Sequence, residues 1–317
     1  MSNNNYYSNK AHIKLIAEKL KKGQASLIVG AGFSLNAKKI NPNSPSIPSW
    51  SELANRLYEK LYPYDEGQDK NKYENDKIRA TADALNLASE FEVAFGRNEL
   101  NQFLMEQIPD NEYEPNKLYE DLMRLNWVDI FTTNYDTLLE RQAKYIIERK
   151  YNCIQTLHDI PAKIKPRIIK LHGSFPSSFP FIITKEDYRT YPVLFAPFVN
   201  MVQQSVMENT MCLIGFSGDD PNFYNWTGWV RDNLGKSMPF IYLCGFPDRI
   251  STSKQQLLEQ QKIKIVNFSH YLTPEELNSS QKYQLGIERF IEDLKKLSSP
   301  PNPKKWPEEK NLVNLRY

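Results

Sequence analysis

Four short apolar runs, each meeting a glycine or small polar residues, constrain this chain more than any other feature. They are "ASLIVGAG" (25–32), "WVDIFTTN" (127–134), "RIIKLHG" (167–173) and "TMCLIGFS" (210–217). Uninterrupted apolar runs of this length suit strands buried on both faces, as in parallel sheets. Two more runs, "MPFIYLCGF" and "KIKIVNF" near residue 265, extend the series, and segments with apolar residues at helical spacing separate its members. The expected fold class is therefore α/β, a Rossmann-like, mostly parallel sheet with helices on both faces. In such sheets ligands bind beyond the carboxyl ends of the strands, so the residues that end these runs are the first candidates for function.

The segments between the runs set the domain organisation. "AHIKLIAEKLKKG" reads as a helix stopped by Gly23 ahead of the first strand. Three prolines and two serines between Asn41 and Pro48 mark a loop, after which "SWSELANRLYEKLY" resumes helical periodicity behind a capping serine. Signals stay mostly helical to Leu125, which gives a helical insertion at about 41–125. The expected main domain spans 1–290, followed by a Pro-rich C-terminal arm or linker at 291–317 containing Pro300, Pro301, Pro303 and Pro307.

Composition excludes several classes. With 317 residues and 40% hydrophobic content the chain buries a full core, and a net charge of +2 calls for neither nucleic acid nor an anionic membrane. The polar opening and the lack of any run near the roughly 18 apolar residues of a membrane span read as cytoplasmic. Cys153, Cys212 and Cys244 form no C-x-x-C pair, so neither a disulfide framework nor a cysteine zinc module is expected, and no metal is assigned.

Each strand end admits a bland and a functional reading. In "VGAGFS", Gly30 and Gly32 make a tight turn or admit a phosphate, with Ser34 near the start of a helix. The dinucleotide fingerprint of dehydrogenases is incomplete there, which disfavours hydride transfer. In "FTTNYD", one of Thr132, Thr133, Asn134 and Asp136 suffices to cap a helix, and the rest are left to hold a carboxamide or a water. His172, one of four histidines, is either a satisfied core residue or a group facing a cleft, and Gly173 beside it permits close approach. In "IGFSGDDPNF", Gly215, Ser217 and Gly218 supply permissive backbone and a hydroxyl, while Asp219, Asp220 and Asn222 are also good turn and cap residues.

Taken in order, "GAGFS", "TTNYD", "KLHGS", "ITKEDYRTY" and "GFSGDDPNF" resemble the sirtuin NAD-binding fold, and specifically its bacterial antiphage-defence branch of NAD⁺-consuming effectors, as in Thoeris and related systems. The resemblance covers about residues 15–270. It lacks the paired C-x-x-C zinc module of protein deacylases, replaces their "GIPDFR" segment with "LNAKKINPNSPSIPSW", and matches the adenosine end loosely through "LCGFPDR". It implies that Gly30, Ala31, Gly32 and Ser34 cradle phosphate and ribose, that Thr133, Asn134 and Asp136 serve the nicotinamide end, that His172 is the base, and that Gly215 and Ser217 make the far ribose and phosphate contacts. The activity it implies is NAD⁺ glycohydrolysis to nicotinamide and ADP-ribose, with NAD⁺ as substrate, in a homo-oligomer restrained by a sensor or regulatory partner or a fused domain. The alternatives are a non-catalytic module that binds NAD⁺ or an ADP-ribose derivative, and a protein deacylase.

Overall fold

The computed structural model describes residues 3–162, 164–218, 220–246, 251–279 and 281–298. Nine strands are present among them: β1 (Ala25–Val29), β2 (Lys38–Lys39), β3 (Tyr113–Glu114), β4 (Asp129–Thr132), β5 (Asn152–Ile154), β6 (Arg167–Lys170), β7 (Thr210–Ile214), β8 (Ile241–Gly245) and β9 (Ile263–Asn267). Seven form one sheet in the order β5-β6-β4-β1-β7-β8-β9 with every pairing parallel, and β2 pairs with β3 as a small antiparallel hairpin. All six expected strands are there. The three-residue edge strand β5 and the two-residue hairpin strands were too short to register as apolar runs.

The helices in chain order are α1 (Asn3–Lys21), α2 (Ala31–Ser34), α3 (Trp50–Leu61), α4 (Lys70–Thr81), α5 (Ala84–Phe95), α6 (Arg97–Gln107), α7 (Lys117–Arg124), α8 (Leu138–Ala143), α9 (Lys185–Leu194), α10 (Ala196–Glu208), α11 (Pro221–Leu234), α12 (Thr252–Gln260), α13 (Pro274–Leu277) and α14 (Lys282–Ser298). Alternation along the strands sorts the core into two layers. Leu27 and Val29 of β1, Cys212 and Ile214 of β7, and Tyr242 and Cys244 of β8 pack with α1, α7, α8 and α14. Their neighbours Ile28, Met211, Leu213, Ile241 and Leu243 pack against α10 and α11 on the opposite face. Both faces are thus covered, which is why these strands are apolar throughout.

The insertion has a core of its own. Leu53, Leu57, Leu87, Phe91, Leu100 and Leu104, from α3, α5 and α6, cluster with Tyr135, Phe175, Phe181 and Ile183 from the loops that leave β4 and β6. Arg97 ties this unit to α9, donating to Asp187 at 2.9 and 3.1 Å and to the Phe181 carbonyl at 2.5 Å. Two expected boundaries shift. Helix α7 belongs to the main core through Leu118, Tyr119, Leu122 and Met123, so the separately packed insertion ends before residue 117 and not at 125. Helix α14 carries buried Ile291 and Leu294 and continues to Ser298, across the expected start of the arm at 291. The prolines at 300–307 lie outside the described residues, as do Pro247, Asp248 and Arg249 of "LCGFPDR" and Asp219. No helix among the described residues is long and apolar enough to cross a membrane.

Candidate functional site

The four polar signatures end four adjacent strands. In the sheet order these are β6, β4, β1 and β7, and Val29, Thr132, Lys170 and Ile214 stand level with one another by register. The chain reverses its winding direction at β1, between β4 on one side and β7 on the other, which is the switch point where an open α/β sheet leaves a crevice.

Backbone packing builds the crevice floor. The Gly30 N–H donates to the Ile214 carbonyl at 3.0 Å and the Gly32 N–H to the Gly215 carbonyl at 2.9 Å. A Cβ on Gly30 would lie 2.5 Å from the Gly215 oxygen, and one on Gly215, at φ +63, would lie 2.2 Å from the Phe33 nitrogen. These glycines therefore serve first to let two strand-end turns lock together. Gly173, at φ +90, does the same for the loop after β6, where the Ser178 and Pro180 carbonyls would each be 2.7 Å from a Cβ.

Helix α2 is a single turn. Residues three apart share a face of a helix, and Ala31 and Ser34 line a small cavity of about 50 Å³ with Thr133, Asn134 and Asp136. Gly32, on the other side, lines a cavity of about 890 Å³ together with Gly215 and Ser217. The expected single cradle of Gly30, Ala31, Gly32 and Ser34 is thus divided in two, with Gly30 enclosed beneath by Gly215 and Phe216. The larger cavity continues over the ends of β8 and β9 to Phe246, Lys254, Phe268, Tyr283 and Gln284. Its volume lies in the range of small-ligand sites, roughly 300–1,000 Å³. Pro48, Ser49, Trp50 and Leu53 of the insertion form the outer wall of the smaller one.

A chain of hydrogen bonds joins three signature residues. Asn134 Nδ2 donates to Ser34 Oγ at 2.9 Å, and Ser34 Oγ donates to Asp136 Oδ2 at 2.7 Å. The other carboxylate oxygen of Asp136 accepts from the Leu138 N–H at 3.2 Å and starts α8. Both oxygens are thus engaged within the protein, one by Ser34 and the other by the first residue of α8. Burial pushes the Asp136 carboxyl up, opposed by the Lys170 charge and the Ser34 hydrogen bond. Thr132, the last residue of β4, braces the strand exit. Its hydroxyl donates to the Val29 carbonyl at 2.8 Å and accepts the Asn134 N–H at 3.1 Å, fixing where Asn134 leaves the strand. Asn134 is 8% exposed and its Oδ1 is buried with no hydrogen-bond partner among the described residues.

His172 sits at the end of β6, 1% exposed, and lines neither cavity. Neither ring nitrogen has a hydrogen-bond partner among the described residues. The ring is instead wedged edge-on between Tyr188 and Tyr191 of α9, at centroid distances of 5.5 and 5.8 Å. Burial lowers its pKa, opposed by the charges of Asp220 and Asp187.

Sequence reasoning passed over Lys170, which is fully buried, pairs with Glu140 at 3.0 Å and donates to the Asp136 carbonyl, pinning the turn after β4. The signal was present, because a lysine inside an apolar strand needs a buried partner. Among the described residues no group of three or more His, Cys, Asp or Glu side chains is placed to hold a metal ion.

Residues 128–266, from β4 to β9, match the SIR2-like domain family. The chain is 28% identical over 223 residues to the NAD(+) hydrolase ThsA of Acinetobacter baumannii, covering 68% of this chain and 41% of that protein. It is 24% identical over 293 residues to defense-associated sirtuin 2 of Bacillus subtilis, covering 88% of this chain and 26% of that protein. The chain therefore spans about two fifths or less of the curated relatives it matches. A solved Sir2 homologue mutant in complex with ADP-ribose overlaps 92% of this chain and 99% of its own at a TM-score of 0.49 and 14% identity.

Proposed function

We propose that this SIR2-like chain is an NAD⁺ glycohydrolase that releases nicotinamide and ADP-ribose, and that it serves as the NAD⁺-depleting arm of an antiphage system. One observation carries the reading: the hydrogen-bonded Ser34–Asn134 pair and His172 follow the ends of the neighbouring strands β1, β4 and β6, and among the described residues Asn134 Oδ1 and both imidazole nitrogens are buried without a hydrogen-bond partner. The names of the ThsA relatives and of the defence-associated sirtuin support the reaction class.

The chemistry follows from those groups. Cleaving the bond between the ribose and the nicotinamide nitrogen sends its electron pair to that nitrogen and leaves positive charge on the ribose. An incoming water closes the new C–O bond and must lose a proton. His172, kept neutral by burial, accepts it. Asn134 Oδ1 accepts from the water or from a ribose hydroxyl without adding charge, and its Nδ2 is held in place by Ser34. The larger cavity takes the adenosine and diphosphate end beside Gly32, Gly215 and Ser217. The nicotinamide end belongs at the smaller cavity, whose 50 Å³ is below the size of the ring, so the insertion's wall at Trp50 has to yield on binding. Oligomeric restraint, a sensor partner and a cytoplasmic site of action belong to the same proposal.

The test is chromatography of nicotinamide and ADP-ribose after incubation with NAD⁺, with His172→Ala and Asn134→Ala in parallel. Each variant should lose about 10²- to 10⁴-fold in rate, the worth of a positioned acid–base group. Stable NAD⁺ binding by the parent protein without nicotinamide release, in cells as in vitro, would instead identify a sensor.

A further inference from the structure

His172 is too buried to acquire a proton without help, and its surroundings identify what supplies it. Resting on the reading of His172 as the base, we propose that Tyr188 and Asp220 form a positioning relay: the Tyr188 ring holds the imidazole edge-on, and the Asp220 carboxylate, anchored by the Tyr188 hydroxyl, is the counter-charge to the imidazolium.

The geometry is specific. The His172 and Tyr188 rings meet at 77° with centroids 5.5 Å apart, and the Tyr188 hydroxyl donates to Asp220 Oδ2 at 2.9 Å. Asp220 Oδ1 accepts from the Phe223 N–H at 3.0 Å and so caps α11, which fixes the carboxylate to a helix start. Tyr191 closes the other side of the imidazole, its own hydroxyl donating to the Leu171 carbonyl at 2.7 Å.

The charged and titratable groups facing the ring are Asp187, Tyr188 and Tyr191 from α9 and Asp220 from α11. Asp187 is already neutralised, since Arg97 pairs with it at 2.9 Å. Lys170, two residues along β6, is paired with Glu140. Among the described residues no Lys or Arg pairs with Asp220, whose hydrogen bonds come from a phenol and a backbone amide. Its charge is therefore the one left to answer a positive ring. A cation formed in a buried site without a counter-charge is strongly disfavoured, so the aspartate lowers the barrier to proton uptake while never touching the substrate. Proton transfer itself stays between water and imidazole.

The experiment measures pH profiles of nicotinamide release for the parent, Asp220→Asn, Tyr188→Phe and His172→Ala, together with the NMR titration of the His172 ring in the first three. Asparagine is also a good N-cap, so Asp220→Asn preserves α11. The expected result is a loss in kcat of about tenfold to hundredfold in Asp220→Asn, with KM near the parental value, the acid limb moved to lower pH, and a smaller change in the same direction in Tyr188→Phe. Parental kcat and an unmoved acid limb in both, with His172→Ala silent, would overturn the relay and leave the glycohydrolase reading standing. If the purified parent releases no nicotinamide, the NMR titration decides the relay by itself: a lower His172 midpoint in Asp220→Asn supports it and an unchanged one overturns it.

Discussion

Replacing Gly215 with alanine tests whether the crevice floor is built from backbone, as its geometry requires. At φ +63 the residue is in the left-handed region, which costs a side-chain-bearing residue roughly 1–2 kcal/mol. The new methyl would also stand 2.2 Å from the Phe33 nitrogen and 2.8 Å from Gly32 C and Phe33 Cα. Neither neighbour is a flexible side-chain end, so α2 itself must move, at about 1–3 kcal/mol for an overpacked site. That movement strains the Gly32 N–H bond to the Gly215 carbonyl, worth about 1 kcal/mol. The sum is roughly 3–6 kcal/mol, which at about 2 °C per kcal/mol in a chain of this size lowers Tm by roughly 6–12 °C. Gly218→Ala is the matched control: φ is +79, but nothing lies within 4 Å of its added Cβ. It should cost only the backbone part, about 1–2 kcal/mol. Calorimetry of the two variants separates strain from clash. Equal losses would refute the argument that two backbones interlock here, and so would a Gly215→Ala protein that keeps parental nicotinamide release, since Ser34 rides on the displaced turn.

Three further expectations follow from named contacts. Arg97→Ala removes two hydrogen bonds to Asp187 of α9 and one to the Phe181 carbonyl in the loop before it, and should cost about 2–3 kcal/mol, read as a lower urea midpoint at unchanged m-value; an unmoved midpoint would mean that the apolar cluster alone holds the insertion. His172 is depressed below 6.5 in the folded protein, so the unfolded chain takes up the proton first and stability falls as pH drops through that value. His172→Gln should flatten this fall between about pH 7 and 5, and a slope identical to the parent's in denaturant midpoints would contradict the burial. Asp136 is raised instead, so its contribution is intact below the ordinary carboxylate value near 4 and is lost as pH rises through its folded value. Asp136→Asn should therefore gain stability relative to the parent on going from acid to neutral pH, and a constant difference across that range would rule the shift out.

What the sequence revealed and what it hid have separate physical causes. The runs ending at Gly30, Asn134, His172 and Gly215 were legible as strands because both faces of a parallel sheet demand apolar side chains, and a composition rule of that kind survives without coordinates. Their adjacency in the sheet was legible only through the resemblance, since nothing local in "KLHGS" says which strand it lies beside. Helical spacing cannot say which core a helix serves: Leu118, Leu122 and Met123 have the same pattern as Leu53 and Leu57, yet they join the main core while the latter join the insertion. Glycine likewise announces that something comes close without naming it. At Gly30 and Gly215 the partner was expected to be a phosphate, and the atoms nearest an added Cβ are the Gly215 carbonyl oxygen at Gly30 and the Phe33 and Gly32 backbone at Gly215.

The unpaired polar atoms are the part of the site least derivable from sequence and the most informative about it. Leaving a buried donor or acceptor without a partner costs about 1–3 kcal/mol each, and Asn134 Oδ1 with the two His172 nitrogens places three such atoms at the ends of two adjacent strands. A core that tolerates this must be over-determined around them, and it is. The Asn134 amide and Nδ2 are both held, the His172 ring is gripped by two tyrosines, and the strand exits are locked by interdigitated backbone. The scaffold therefore holds these side chains while leaving Asn134 Oδ1 and the imidazole nitrogens without a partner among the described residues. A ligand that pairs with those atoms recovers the cost on binding, which is how the proposed reaction would use them.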